Sequence, residues 1–295
     1  MAEREEVVVR PLLRYEEFED AVKVQELAWG MPEIERVPAH VLIAAAKNGG
    51  VVLGAFEPSS GRLIGFVFGF TGLGPEGPYH YSHMMGVVPE WQGRGVGFRL
   101  KMAQREAALS RGLRLIEWTF DPLQRGNSRL NLGKLGVVIR TYVRSYYGEM
   151  LDEVNRGIPS DRVVAEWFLD SERVRAITAA ERPPPTPGEL LDRGAVVCLD
   201  SRPEGDRLRR PRVLGVRSKA ELALVEIPWS VSEYRREGRL DLLREWRAAT
   251  AEVFEKLMGL GFLDVDLAQD RKRRRCFHVF VRASLEEVLS SAPWW

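Results

Sequence analysis

The residues whose types and spacing carry the most chemistry are Gln92, Gly93, Arg94, Gly95, Val96 and Gly97, within the stretch VVPEWQGRGVGFRLK at positions 87–101. Three glycines lie between a β-branched run and an amphipathic stretch of helical period. A helix N-terminus has unpaired backbone N–H groups and the positive end of the helix dipole, and glycines let an anion come close to that backbone. A phosphate or pyrophosphate is the natural guest of such a turn. It is neither G-x-G-x-x-G followed by a distant acidic residue nor G-x-x-x-x-G-K-[ST], which excludes the usual dinucleotide and nucleoside-triphosphate loops.

The elements that must position this turn follow from hydrophobic period. Residues 79–88 read as the strand before it, and residues 96–110 as the helix after it, stopped by Gly112. In that helix Val96, Leu100, Ala103 and Ala107 form the apolar stripe, which leaves Arg99, Lys101, Gln104 and Arg105 outward. A strand over 113–120 succeeds it. Upstream, 7–9 reads as a short strand and 15–28 as a helix, and 51–56 and 63–70 read as strands joined by a turn at Pro58–Gly61. Residues 71–78, rich in glycine and proline, read as a loop.

The segment ERPPPTPGE at 181–189 predicts a semi-rigid connection and a domain boundary, giving domains 1–182 and 190–295. Beyond it, strands are expected at 195–199, 213–216, 222–227, 262–267 and 276–281, with a long helix at 240–258. Strand, proline, helix, glycine, strand and aspartate describe both 79–121 and 222–270, so the C-terminal domain is either a degenerate repeat or a chance likeness of two α/β segments. The second copy has no glycine-rich turn.

The glycine turn, preceded by Val87, Val88, Pro89, Glu90 and Trp91, resembles the signature of the GNAT superfamily of acyl-CoA-dependent N-acyltransferases, over residues 84–112. That resemblance implies an α/β (α+β) GNAT fold, a mixed central sheet flanked by helices, with the chain's second half a smaller GNAT-like domain. It implies that acetyl-CoA or another acyl-CoA binds with its pyrophosphate on the backbone of residues 92–97. Val87 and Val88 would pair with the pantetheine amides as an added strand does. Asn127 and Asn131, in DPLQRGNSRLNLGKLG, are implied pantetheine contacts, and equally suit helix caps or solvent-facing positions. The tyrosine that protonates the departing thiolate in many members falls on Leu132 here.

Acyl transfer to an amine also needs a route for the amine's proton. Alternation along 79–88 places Tyr81 and His83 on one face and His80, Ser82 and Met84 on the other. The glutamate base of histone acetyltransferases in the family falls on Tyr81, so the carboxylate is missing there. His83 has a suitable unperturbed pKa, about 6.5, and Glu117 on the neighbouring strand is the second candidate. Their structural alternatives are a packed histidine and an ion-paired carboxylate. Tyr142, Tyr146 and Tyr147 could supply an acid or line the acceptor pocket.

The 295 residues carry 43 basic and 42 acidic side chains, a net charge of +1, which argues against a nucleic-acid or membrane-surface partner. The runs at 271–275 and at Arg207, Arg209, Arg210 and Arg212 could grip a coenzyme A phosphate or an acidic acceptor, or form a solvated face. With 45% hydrophobic residues, no apolar run long enough for a membrane span, and only Cys198 and Cys276, a cytoplasmic monomer or homodimer without a bound metal is expected. The aromatic terminus, Pro293, Trp294 and Trp295, suits docking onto its own domain or a second subunit.

The reading is an N-acyltransferase moving an acetyl or succinyl group to a small-molecule primary amine such as an amino acid. For a succinyl tail, Arg140, Arg144, Arg156 and Arg162 are the available cations. The alternative is a coenzyme A-binding regulatory or interaction protein without turnover.

Overall fold

A computed structural model describes residues 7–179, 182–217 and 219–290. The terminal Pro293, Trp294 and Trp295 lie outside them. The chain forms a mixed α/β structure of two compact units, one of Met1–Trp118 with Leu151–Arg156, the other of Thr119–Met150 with the residues from Gly157 onward.

The first unit contains β1 (Val8–Pro11), α1 (Tyr15–Trp29), α2 (Ala39–Lys47), β2 (Val51–Phe56), β3 (Leu63–Gly74), β4 (Gly77–Val87), α3 (Val96–Leu109) and most of β5 (Leu115–Phe120). Its strands pair in the order β1-β2-β3-β4-β5, antiparallel except for the parallel β4/β5 pair. β2 is buried at every position, as expected of the unbroken apolar run VVLGAF inside a sheet covered on both faces. α1 starts where Glu17 accepts the N–H of Leu13 at 2.8 Å and pairs with Arg10 at 2.8 Å, and it packs Phe18, Ala21 and Val24 into the core.

Residues 71–78 form no loop. β3 and β4 run on to the pairs Gly72↔Tyr79, Leu73↔Pro78 and Gly74↔Gly77. Gly72 is a ring seat, since a Cβ there would lie 2.6 Å from Tyr79 Cζ.

The second unit holds α4 (Arg125–Leu130), which continues into a π-helical turn (Asn131–Leu135), then β6 (Val138–Val143), β7 (Arg162–Phe168), α5 (Glu172–Ala179) and α6 (Pro187–Asp192). It continues with β8 (Val196–Glu204), β9 (Leu208–Val213), β10 (Leu222–Ile227), α7 (Val231–Arg236), α8 (Leu240–Gly259), β11 (Phe262–Asp270), β12 (Arg275–Arg282) and α9 (Leu285–Leu289). Its strand order is β7-β6-β11-β12-β10-β8-β9, with β8/β10 parallel. α8 buries Leu243, Trp246, Val253, Phe254 and Leu257, the apolar stripe of its sequence.

The compact units divide elsewhere than at the proline-rich segment. Residues 119–150 and 157–179 pack with the C-terminal half. The prolines are tied into that unit: the Pro185 carbonyl accepts from Gln269 N at 2.9 Å, and Arg182 pairs with the buried Asp266. The two segments compared as a repeat, 79–121 and 222–270, differ in strand adjacency. β4 and β5 are adjacent and parallel, whereas β12 separates β10 from β11.

Strand β9 lies at 208–213, N-terminal to the expected 213–216, because its arginines face carboxylates across the sheet. Arg210 pairs with Glu204 and Glu245, and Arg212 with Asp200. In the other basic run, Arg273 pairs with Asp270, Arg274 with Glu233 and Arg275 with Glu226. These pairs engage Arg210, Arg212, Arg273, Arg274 and Arg275 within the two basic clusters.

Candidate functional site

The site is built on the β3/β4 hairpin. Its register is Gly65↔Val87, Phe66↔Gly86, Val67↔Met85 and Phe68↔Met84, then shifts so that Ser82 and His83 together oppose Gly69 before Phe70↔Tyr81. This is a β-bulge on β4, and it interrupts the two-residue alternation of side chains. Directly opposed residues share a face, so Phe68, Met84, Phe70 and Tyr81 lie together. Met84 is thus on the face of Tyr81, contrary to simple alternation, and the extra residue in the bulge is the reason. His83 joins this face, with ring centroids 5.7 Å from Phe68, 6.0 Å from Phe70 and 6.3 Å from Tyr81. Burial holds the His83 imidazole below its ordinary pKa, so the ring is neutral at pH 7.

β4 pairs with β5 at His80↔Ile116 and Tyr81↔Glu117. Glu117 is therefore the neighbour of Tyr81 on the same face, and the structure brings Tyr81, His83 and Glu117 together. No further pair follows among the described residues, although β4 continues to Val87. The strands part just beyond the bulge and leave a gap.

Hydrogen-bonding directions alternate along a strand in the same way. Val88 N–H donates to the Ile64 carbonyl at 3.0 Å, so its backbone faces β3 and is already used. Val87 and Met85 point theirs toward the gap. The Val87 carbonyl accepts from Gln92 Nε2 at 2.9 Å, leaving the Val87 N–H for a ligand. Of the two expected strand contacts, the Val87 backbone is directed at the gap, as is that of Met85, while the Val88 backbone is directed at β3.

After β4 the chain makes a short 3₁₀ turn at Pro89–Trp91 and then the glycine turn. Gly93 and Gly95 have φ of +74° and +87°, a left-handed conformation that favours glycine. An added Cβ at either would meet nothing within 4 Å, so the backbone stands open to an incoming group. Gly95 is the N-cap of α3, no side chain caps the first turn, and the N–H groups at its start, from Val96 and Gly97, point outward from the helix end. The Arg94 guanidinium lies 5.1 Å from the Trp91 ring, and Gln92 folds back on Val87, so both side chains brace the turn.

Beneath β4, the face toward α3 holds a polar cluster that the polarity of the sequence conceals. Lys101 is 2% exposed and Gln104 fully buried, although both were expected to face outward. Lys101 Nζ donates to Ser82 Oγ at 2.7 Å and to Gln104 Oε1 at 3.1 Å, and lies 3.6 Å from the Trp118 ring centroid. Gln104 Nε2 meets His80 Nε2 at 3.0 Å. Burial, with the charges of Lys101 and Arg111, pushes His80 down to about 3. The signal in the sequence is the spacing of Lys101, Gln104 and Ala108, a second helical stripe beside Leu100.

In the second unit, Asn127 is exposed on α4, while Asn131 is buried and its carbonyl accepts Val137 N–H at 3.0 Å. Leu132 is fully buried. Tyr142 donates to Asp161 at 2.7 Å, and burial raises its pKa above the usual phenol value. Tyr146 and Tyr147 are exposed and packed edge to face, with Tyr147 Oη 2.9 Å from Thr119 Oγ1.

Among the described residues no group of His, Cys, Asp and Glu could hold a metal ion, and no helix is long and apolar enough to cross a membrane. No curated protein sequence matches the chain. Solved structures that match part of the chain include the ribosomal-protein-S18-alanine N-acetyltransferase from Escherichia coli, with 14% identity, 56% of this chain and 94% of that one covered, and a TM-score of 0.43. A polyamine N-acetyltransferase from Drosophila melanogaster shares 15% identity over 55% of this chain and all of that one (100%), with a TM-score of 0.43. An acetyltransferase of the GNAT family from Streptococcus pneumoniae shares 17% identity over 55% of this chain and 98% of that one, with a TM-score of 0.44. Residues 14–130 match the model of the acetyltransferase (GNAT) family, which takes in the bulged strand, the glycine turn and α3. Over those residues the chain is similar to the acetyltransferase (GNAT) family.

Proposed function

We propose that the first unit binds acetyl-CoA and transfers its acetyl group to the primary amine of a small molecule. The observation that carries this reading is the parting of β4 from β5 after Tyr81↔Glu117, on the strand that leads directly into an uncapped helix N-terminus. A pantetheine arm fits the gap and a pyrophosphate fits the open backbone at Gly93 and Gly95. Acetyl-CoA supplies the activated acyl group. The backbone N–H groups of Val96 and Gly97 hold its phosphates, and those of Met85 and Val87, directed at the gap, align the arm and polarise the acyl carbonyl.

His83, kept neutral by burial, accepts the proton that the amine gives up as the new C–N bond forms and the C–S bond breaks. Glu117 and Tyr81, beside it, orient the amine. The leaving thiolate takes its proton from solvent or His83, because Leu132 stands where many family members have a tyrosine.

Acetyl is favoured over succinyl because three of the four arginines named for a second carboxylate are engaged. Arg140 is bonded to Glu166 at 2.7 Å, Arg144 to Glu255 at 2.6 Å, and Arg162 to the Asp161 carbonyl at 2.9 Å. The test is thiol release with acetyl-CoA and succinyl-CoA over a panel of alkyl amines, polyamines and amino acids. Turnover with acetyl-CoA and at least one amine is expected. Coenzyme A binding without thiol release for any amine would favour a regulatory coenzyme A-binding protein, and no binding would remove both readings.

A further inference from the structure

Lys101 is an expensive residue to place where it lies. A lysine amine buried to 2% exposure loses its hydration, and no carboxylate contacts it among the described residues. A leucine or methionine would fill the space at lower cost. What the amine makes, and an apolar side chain could not, is one contact to each of the three elements that frame the gap. From α3, one turn after the glycine turn, Nζ reaches Ser82 in the β4 bulge at 2.7 Å, the Trp118 ring of β5 at 3.6 Å, and Gln104 of its own helix at 3.1 Å. Ser82 and Trp118 flank the gap where the two strands part.

We propose that Lys101 is a positioning residue that sets the width of the β4/β5 gap, and with it the fit of the pantetheine arm, by tying the bulge at Ser82 and the ring of Trp118 to α3. The inference rests on the acyl-CoA reading above. It separates the two halves of the ligand: the glycine turn holds the phosphates, while Lys101 governs only the arm that enters the gap. The bulge also carries His83, so the same tie fixes the height of the imidazole above the gap.

The experiment compares wild type, Lys101→Met and Ser82→Ala by calorimetric titration with coenzyme A and with 3′-phosphoadenosine 5′-diphosphate, which has the phosphates and no pantetheine. Coenzyme A affinity is expected to fall about tenfold in each variant, the size of one hydrogen bond to an amine, while binding of the nucleotide stays unchanged. The double variant should lose little more than either single one, since both remove the same bond. If Lys101→Met does not fold, Ser82→Ala alone gives the comparison. Equal loss for both ligands, or unchanged coenzyme A affinity in folded variants, overturns the role of Lys101 and leaves the acyl-CoA reading intact. Failure of the wild type to bind coenzyme A overturns both.

Discussion

At the scale of single residues, His83 and Lys101 are two basic side chains on one strand–helix pair whose pKa values burial lowers. His83 sits among Phe68, Phe70 and Tyr81, and its pKa is lowered by desolvation. Activity should therefore rise with pH through a midpoint below about 6.5, the usual imidazole value, and stay level above it. His83→Gln should lower kcat by about a hundredfold or more and remove that acid limb, as read from pH–rate profiles. A limb that persists in the variant would assign the proton to Glu117. Lys101 is also held below its ordinary value, by burial. Between its folded and unfolded pKa values the unfolded chain binds more protons, so stability rises with pH across that window. The advantage of Lys101→Met over wild type in chemical denaturation should accordingly be larger near pH 6 than near pH 10, a range over which the neighbouring His80 is neutral. Tyr81, His83 and Glu117 were legible in the sequence because a period-two pattern and a parallel neighbour are enough to group them. Lys101 and Gln104 were not, because residue polarity says outward and only the packed structure says otherwise.

At the scale of elements, the bulge on β4 is the feature that the pattern of residues could not show. It adds one residue opposite Gly69, moves Met84 to the face of Tyr81, and directs the backbones of Met85 and Val87 at the gap. Gly69 makes this possible, since a Cβ there would fall 2.4 Å from His80 Nε2 and 2.5 Å from the Tyr81 carbonyl. Gly69→Ala should destabilise the fold by about 1–3 kcal/mol, in the range of overpacking in a tight interior. Thermal and urea denaturation will check it, and a change below about 0.5 kcal/mol, the size of a neutral surface substitution, would show that the bulge tolerates the crowding. The glycine turn and α3 were readable because positive φ and a helix start each leave a compositional trace. The strand ends at Gly72 and Gly74 were misread as loop because glycine marks both turns and close cross-strand approaches.

At the scale of the molecule, a net charge of +1 conceals many arginine–carboxylate pairs, among them Arg144–Glu255, Arg210–Glu245 and Arg274–Glu233. The proline-rich segment looked like a boundary because prolines stiffen linkers equally well, and only long-range bonds such as Gln269 N to the Pro185 carbonyl show that it is packed. In the reading proposed above, the phosphates of the donor fall to backbone N–H groups at the start of α3. Binding should then weaken only shallowly with salt, in contrast to a site built from many free cations. The most direct measurement is calorimetric titration of the full chain with coenzyme A at low and high ionic strength, for wild type and Gly95→Val. The variant places a β-branched side chain at φ +87°, where it does not fit. One-to-one binding with a shallow salt dependence, weakened at least about tenfold in Gly95→Val, a cost of 1.4 kcal/mol or more, is the predicted result. No binding by the wild type, or equal binding by the variant, would contradict it.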